Sequence, residues 1–171
     1  MKTVLLLRHA KSSWDQPSLS DFHRPLAPRG RKAAPLVGRH MAQSELVPSR
    51  VLCSAARRAR ETWELVAEAL GEEIPVEFRE DLYHASPGSV LSLLHRLADD
   101  VDSVLLVGHN PTFEELADLL TGAAEEEARA NMSRKFPTGA LAIVDFPVRR
   151  WKEVLAEGGY LRGFVRPKDL Q

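Results

Sequence analysis

The sequence predicts an α/β fold: a single domain built as a three-layer sandwich, with a largely parallel central sheet flanked by helices. Two observations predict it. Short apolar runs of strand length alternate along the chain with longer stretches of helical spacing, at separations suited to β-α-β crossovers. The run Ser103–Val107 (SVLLV) is continuously apolar after its first residue, as a strand covered on both faces should be. The 171 residues suffice for one domain with a real core. No internal repeat or linker divides residues 1–171.

The elements follow in order. Thr3–Leu7 is a short β-type run with charge directly after it. Pro28–Gln43 has apolar residues at 33, 34, 36, 37 and 41, roughly helical spacing; Pro35 inside it is expected to kink the helix or move its start. Val51–Cys53 is the second strand. Ala55–Leu70 is the clearest helix, with Ala59, Leu65, Val66, Ala69 and Leu70 toward one side and Gly71 as its stop. Ile74–Phe78 is the third strand and Ser89–Leu97 the third helix. After Ser103–Val107, Thr112–Leu120 reads as a helix with a capping box, Thr112-x-x-Glu115, at its start and Gly122 at its end. Ala140–Phe146 is a fifth strand, and a short strand is expected near Leu161–Val165. The acidic run Glu125-Glu126-Glu127 reads as a solvated loop or helix face, and Arg166–Asp169 as a surface tail.

Composition narrows the function. Apolar residues make up 44% and charged residues 27%, an ordinary globular balance. The net charge of −1 gives no general reason to expect nucleic acid or a membrane surface as partner, so attraction for an anion must come from a local cluster. The one cysteine, Cys53, has no partner for a disulfide or a metal site, and its apolar neighbours suggest a buried small residue. The apolar run before Arg8 is too short for a signal peptide or a membrane span. A cytoplasmic protein is the natural expectation.

Ligands of parallel α/β sheets bind outside the carboxyl ends of the strands. Arg8-His9-Ala10-Lys11-Ser12 follows the first strand. Ser54 and then Arg57-Arg58-Ala59-Arg60 follow the second. Gly108-His109-Asn110-Pro111 follows SVLLV. Three strand ends thus carry His or Arg. Guanidinium forks match phosphate oxygens and stay charged at any working pH. A neutral imidazole is a competent nucleophile beside them. Helix starts after Ser54 and near Thr112 would add backbone N–H donors. These residue types point to phosphoryl transfer. There is no carboxylate-rich cluster or His-x-x-x-His pair of the kind metal phosphatases use, so no metal or cofactor is expected.

The same residues resemble a known family. Arg8-His9-Ala10-Lys11-Ser12 resembles the Arg-His-Gly/Ala-x-Ser signature of the histidine phosphatase superfamily. Ser54-x-x-x-Arg58-Ala59-x-x-Thr62 is similar to its second motif and Gly108-His109-Asn110-Pro111 to its third. The short length resembles the SixA-type phosphohistidine phosphatases. So do Asp21-x-x-Arg24-Pro25-Leu26-x-x-Arg29-Gly30 and Phe136-Pro137-Thr138-Gly139-Ala140. The resemblance implies His9 as the phosphorylated nucleophile, Arg8 and Arg58 as phosphate-binding groups, and His109 as a phosphate ligand or stabiliser of the transferring group. Arg57 and Arg60 read as surface or helix charges, with Arg57 adjacent enough to Arg58 to compete for the alignment. Arg24 reaches the same pocket or forms a structural salt bridge; Ser12 contacts phosphate or caps a turn.

Two departures from the larger members matter. Asp15 stands where they often have Asn. The segment Asp81-Leu82-Tyr83-His84 puts His84 where their acid Glu falls. Asp15, Asp21 and His84 are therefore the candidates for general acid. The chain also lacks room for the large inserted lid of sugar-phosphate mutases, which implies an open site able to admit a bulky substrate. The expected reaction is hydrolysis through phospho-His9. The expected partner is a phosphorylated protein carrying phosphohistidine, or alternatively a small phosphate ester such as a sugar phosphate or nucleotide. A non-catalytic phosphate-binding domain is the remaining alternative.

Overall fold

Alternation along each strand sorts the apolar runs onto two faces of one sheet. In the computed structural model, which describes residues Met1–Gln171, the strands are β1 (Lys2–Arg8), β2 (Arg50–Ser54), β3 (Val76–Arg79), β4 (Ser103–Gly108), β5 (Thr121–Ala124), β6 (Leu141–Phe146) and β7 (Gly159–Val165). The helices are α1 (Pro28–Gln43), α2 (Arg57–Leu70), α3 (Pro87–His95), α4 (Thr112–Leu120) and α5 (Glu126–Arg134). The sheet order is β3-β2-β4-β1-β6-β7-β5. Strands β3, β2, β4 and β1 run parallel; β6 alone is reversed, antiparallel to β1 and to β7.

Each face has its own core. Val4, Leu6, Val104 and Leu106 pack with Leu94 of α3, Phe113 and Leu116 of α4 and Met132 of α5. Leu5, Leu7, Leu105 and Val107 pack on the opposite face with Val37 and Met41 of α1 and Trp63 and Val66 of α2. The result is the three-layer sandwich. Val4 through Leu7 are all buried, and each such side chain removed from water contributes roughly 1.5–3 kcal/mol. β1 is therefore a fixed rod, with Arg8 at its end and His9 directly after it.

The register decides where the site falls. Leu7 pairs with Val107 and Arg8 with Gly108, while Cys53 also pairs with Val107. The carboxyl ends of β1, β4 and β2 therefore lie side by side, and His9, His109 and Ser54 emerge from neighbouring strands.

Several local expectations are corrected. α1 starts at Pro28 and runs through Pro35 as one helix. The missing Pro35 N–H is outweighed by the close packing of α1 on α2, where a Cβ on Gly38 would meet the Val66 carbonyl at 2.5 Å. The Thr112–Glu115 capping box does not form. The Thr112 hydroxyl donates to the Ala85 carbonyl, and the Asn110 side chain accepts from the Glu114 N–H at 3.2 Å instead. Gly122 lies inside β5, an element the sequence did not signal. The acidic run takes the helix-face alternative: it is exposed and starts α5, with the Glu125 carboxylate accepting from Glu127 and Ala128 N–H groups. β3 starts at Val76, two residues later than expected, just after Pro75, whose carbonyl accepts the Val51 N–H at 2.9 Å. The C-terminal segment turns back, and Leu170 packs against the core on the α1 side.

Candidate active site

β1 ends by delivering Arg8 and His9 into a cluster. The His9 imidazole is 7% exposed, and its Nδ1 lies 2.7 Å from the Ala10 carbonyl. A carbonyl only accepts, so Nδ1 carries the proton and Nε2 the lone pair. Burial pushes the His9 proton affinity down to about 3, with the charges of Arg58 and Arg8 acting in the same direction. The ring is neutral at working pH, with Nε2 unprotonated and its lone pair free.

The surrounding backbone fixes the ring's mounting. Gly139, at φ +78°, donates its N–H to the Arg8 and His9 carbonyls at 3.0 Å each. The left-handed conformation there suits glycine alone among common choices. The Arg8 guanidinium donates to the Phe136 carbonyl at 3.0 Å, as does Asn110 at 2.9 Å. Arg8 Nε is buried without a partner, a donor free for an anion.

α2 carries the second cation. Arg58 is 7% exposed and donates to the Asp21 backbone carbonyl at 2.7 Å and to the Asp21 carboxylate at 3.0 Å. One turn on, Thr62 accepts the Ala10 N–H at 3.0 Å and donates to the Arg58 carbonyl at 2.7 Å, so it ties the His9 loop to α2. Arg57 is exposed and pairs with Glu61 at 3.2 Å. Arg60 donates to the Ala55 carbonyl at 2.9 Å and lies over the Phe78 ring.

His109 comes from the end of β4. Its ring centroid is 5.1 Å from that of His9. Its Nδ1 faces Arg58 at 3.5 Å, and its Nε2 lies 2.7 Å from the Ser54 hydroxyl. A guanidinium only donates, so Nδ1 is the acceptor and Nε2–H donates to Ser54. Burial, with Arg58 beside it, lowers the His109 proton affinity to about 3.

The loop from Ser12 to Arg24 closes one side. Arg24 donates to the Ser13 carbonyl at 3.0 Å, to the Asp21 carboxylate at 2.7 Å and to the Ser12 hydroxyl, and the Trp14 ring covers it. Asp21 accepts from Arg24, Arg58 and the Tyr83 hydroxyl. Burial raises its proton affinity, but these three donors outweigh burial and hold the carboxyl well below the usual range. Asp21 is thus an anion anchored among cations. His84 is exposed and stacks on Tyr83 at 4.0 Å, and Tyr83 meets His109 edge-on at 5.5 Å. Asp15 is exposed, and its one hydrogen bond runs from its backbone N–H to Ser13.

His9, Arg8, Arg58 and His109 are therefore brought together; Ser12, Arg24 and Asp21 join them through one network, His84 lies beside it, and Asp15 stands apart. The sequence reading assigned no role to Tyr83, Ser54, Thr62, Asn110 or the Phe136 carbonyl. Ser54, Thr62 and Asn110 lay inside the motifs and Phe136 in the Phe-Pro-Thr-Gly run. Nothing local marked Tyr83, whose partner is 62 residues away.

Fold and cluster together define a class: an α/β domain with a His–Arg anion pocket at the carboxyl edge of its sheet. The sequence profile of the histidine phosphatase superfamily (branch 1) matches residues 4–95. An uncharacterised protein of Mycobacterium leprae is 36% identical over 166 residues, which covers 95% of this chain and all of that protein. A structure from Agrobacterium tumefaciens, assigned as the phosphohistidine phosphatase SixA, superposes with a TM-score of 0.82 at 32% identity, covering 97% of this chain and 98% of that one. The protein histidine phosphatase SixA complexed with tungstate gives 0.80 at 26% identity, with 99% of each chain covered. The chain belongs to the histidine phosphatase superfamily and is of the SixA type.

Proposed function

We propose that this phosphatase hydrolyses phosphohistidine on a protein partner, in two steps through phospho-His9 and without a metal. One observation carries the reading: the His9 Nδ1–H bond to the Ala10 carbonyl, in a buried neutral ring, leaves Nε2 as a pre-aimed nucleophile among fixed cations. The Nε2 lone pair attacks phosphorus as the P–N bond breaks, and its electron pair returns to the substrate imidazole, which leaves neutral because its other ring nitrogen carries a proton. Arg8 and Arg58 hold the phosphoryl oxygens. Burial and then the Arg58 charge depress His109; an incoming phosphoryl dianion offsets the charge, which favours a proton on Nδ1 of His109 for donation to a phosphoryl oxygen. Water then attacks phospho-His9, the P–N bond breaks, and phosphate leaves with Nε2 restored. No group of three or more His, Cys, Asp or Glu is arranged to hold a metal. The fixed Arg8 and Arg58 charges, with hydrogen bonding from His109, would do that electrostatic work, so chelators should leave the rate unchanged; loss in chelator with recovery on adding one metal would overturn this.

The leaving group distinguishes the substrates. An imidazole leaving group has a conjugate acid near pKa about 6.5 and needs little help from an enzyme acid, whereas an alkoxide needs much. Asp21 is held as a carboxylate and so suits anchoring Arg58 better than donating a proton. No helix is long and apolar enough to cross a membrane. The buried lone thiol of Cys53 fits a cytoplasmic setting. The test compares kcat/KM for a phosphohistidine protein, aryl phosphates of graded phenol acidity, and sugar phosphates. The reading expects the phosphohistidine protein and the acidic phenols to be fast and alkyl esters slow. Rates independent of leaving group, with sugar phosphates or nucleotides among the best, would put a small-molecule phosphatase in its place, with His84 as the acid to examine first.

A further inference from the structure

We propose that a basic pocket beside the active site docks an acidic segment of the phosphorylated protein partner; the inference rests on the reading of the substrate as a phosphoprotein. The pocket has a volume of about 230 Å³ and lies between α1 and the C-terminal turn. Arg29, Lys32, Arg166 and Lys168 line it together with the apolar Leu36 and Pro137, and no Asp or Glu is among its lining residues, though Asp169 stands at its edge. Arg166 is paired with Asp169 at 2.9 Å, and Arg31 outside the pocket with Glu61 at 3.4 Å. Arg29 and Lys32 are in no ion pair, the first turn of α1 supplies no acidic residue to neutralise them, and Lys168 has only Asp169, already held by Arg166, as an acidic neighbour. In a chain of net charge −1, this is a local surplus of positive charge with no internal use.

Two ties hold this surface against the nucleophile. Lys11, two residues after His9, packs directly on α1: its carbonyl accepts the Ala27 N–H at 2.9 Å, and a Cβ on Gly30 would come within 2.2 Å of that oxygen. On the other side, Pro137 stands two residues before Gly139, whose N–H holds the Arg8 and His9 carbonyls. These ties set the pocket one backbone segment away from His9, within reach of chain that flanks a phosphohistidine seated there. Unpaired cations around half-buried apolar side chains complement carboxylates flanking an apolar residue. A short concave pocket on a chain with no overall positive charge is a poor track for a nucleic-acid backbone.

The test uses two synthetic phosphohistidine peptides, identical except that one carries flanking Asp and Glu where the other carries Asn and Gln. It also uses the Lys32→Glu/Lys168→Glu variant, which touches none of the site residues. Arg29 is left alone because it adjoins the Gly30 contact. The intact protein should prefer the acidic peptide by about tenfold in kcat/KM at low salt, a preference that fades as salt rises. The variant should lose that preference while turning over p-nitrophenyl phosphate and the neutral peptide as before, which also certifies its fold. Equal use of both peptides by the intact protein, or a preference retained by the variant, would overturn the docking surface. Failure to hydrolyse either peptide alongside normal aryl phosphatase activity would overturn the substrate reading. In that event, anisotropy of the labelled unphosphorylated acidic peptide tests the surface alone: binding lost in the variant supports it, and no binding rejects it. Tighter charge-dependent binding of labelled single-stranded DNA or of phosphatidylserine vesicles than of the peptide would also reject an acidic protein segment as the occupant.

Discussion

At His9 and His109, burial lowers each proton affinity to about 3, whereas an unfolded histidine titrates near about 6.5. Below that value the unfolded chain takes up protons that the folded chain refuses. Their contribution to stability is thus fully present above pH about 6.5 and is lost progressively as pH falls toward 3. Between pH 7 and 5 the Asp21 carboxyl, held well below the usual range, does not titrate. The urea midpoint should fall steadily across that window, and His9→Gln should lessen the slope. A midpoint independent of pH there would contradict the neutral, buried state of the two rings. The same neutrality implies that any acid limb in the rate above pH 5 does not come from His9.

Among the elements, α2 carries the most testable geometry. Helical spacing puts Arg58 and Thr62 on one face and the Arg57–Glu61 pair on another. Arg58→Ala should weaken tungstate binding by roughly 1.5–3 kcal/mol, the usual loss for a hydrogen bond to a charged group, and Arg57→Ala should barely change it. Equal losses by calorimetric titration would contradict that division. Thr62→Val removes the acceptor of the buried Ala10 N–H, which should cost roughly 1–3 kcal/mol in urea unfolding and slow turnover as the His9 loop loosens. Unchanged stability and rate would show that this tie is idle. Arg58 was singled out in the sequence by the Arg-Ala-x-x-Thr frame that resembles the family's second motif, and the helix places it with Thr62 on one face. Strand ends were legible because apolar runs stop at charge. β5 was not: Thr121–Ala124 has no apolar alternation and gains its place only by pairing with β7. α5 was hidden because few of its residues are apolar, and only Ala128 and Met132 are buried. The Tyr83–Asp21–Arg58 network was illegible because it joins three segments distant in sequence.

For the whole molecule, one sheet register performs the assembly. β4 lies between β1 and β2, so residues around positions 9, 54 and 109 become neighbours without any long loop reaching across. Both faces of the sheet are packed by helices, which makes the carboxyl edge the rigid mounting on which the two imidazoles and two guanidiniums converge. Placing His9 directly after a buried strand, with its tautomer fixed by the next carbonyl, is the central feature of the chemistry proposed. The measurement that tests it most directly is a rapid-quench trap of the phosphoenzyme, using an activated aryl phosphate and mapping the phosphate by mass spectrometry under base. The account predicts a base-stable, acid-labile phosphate on Nε2 of His9, formed faster than turnover and absent from a folded, inactive His9→Ala variant. Phosphate on another side chain, or a His9→Ala variant that keeps near-normal turnover, would contradict it.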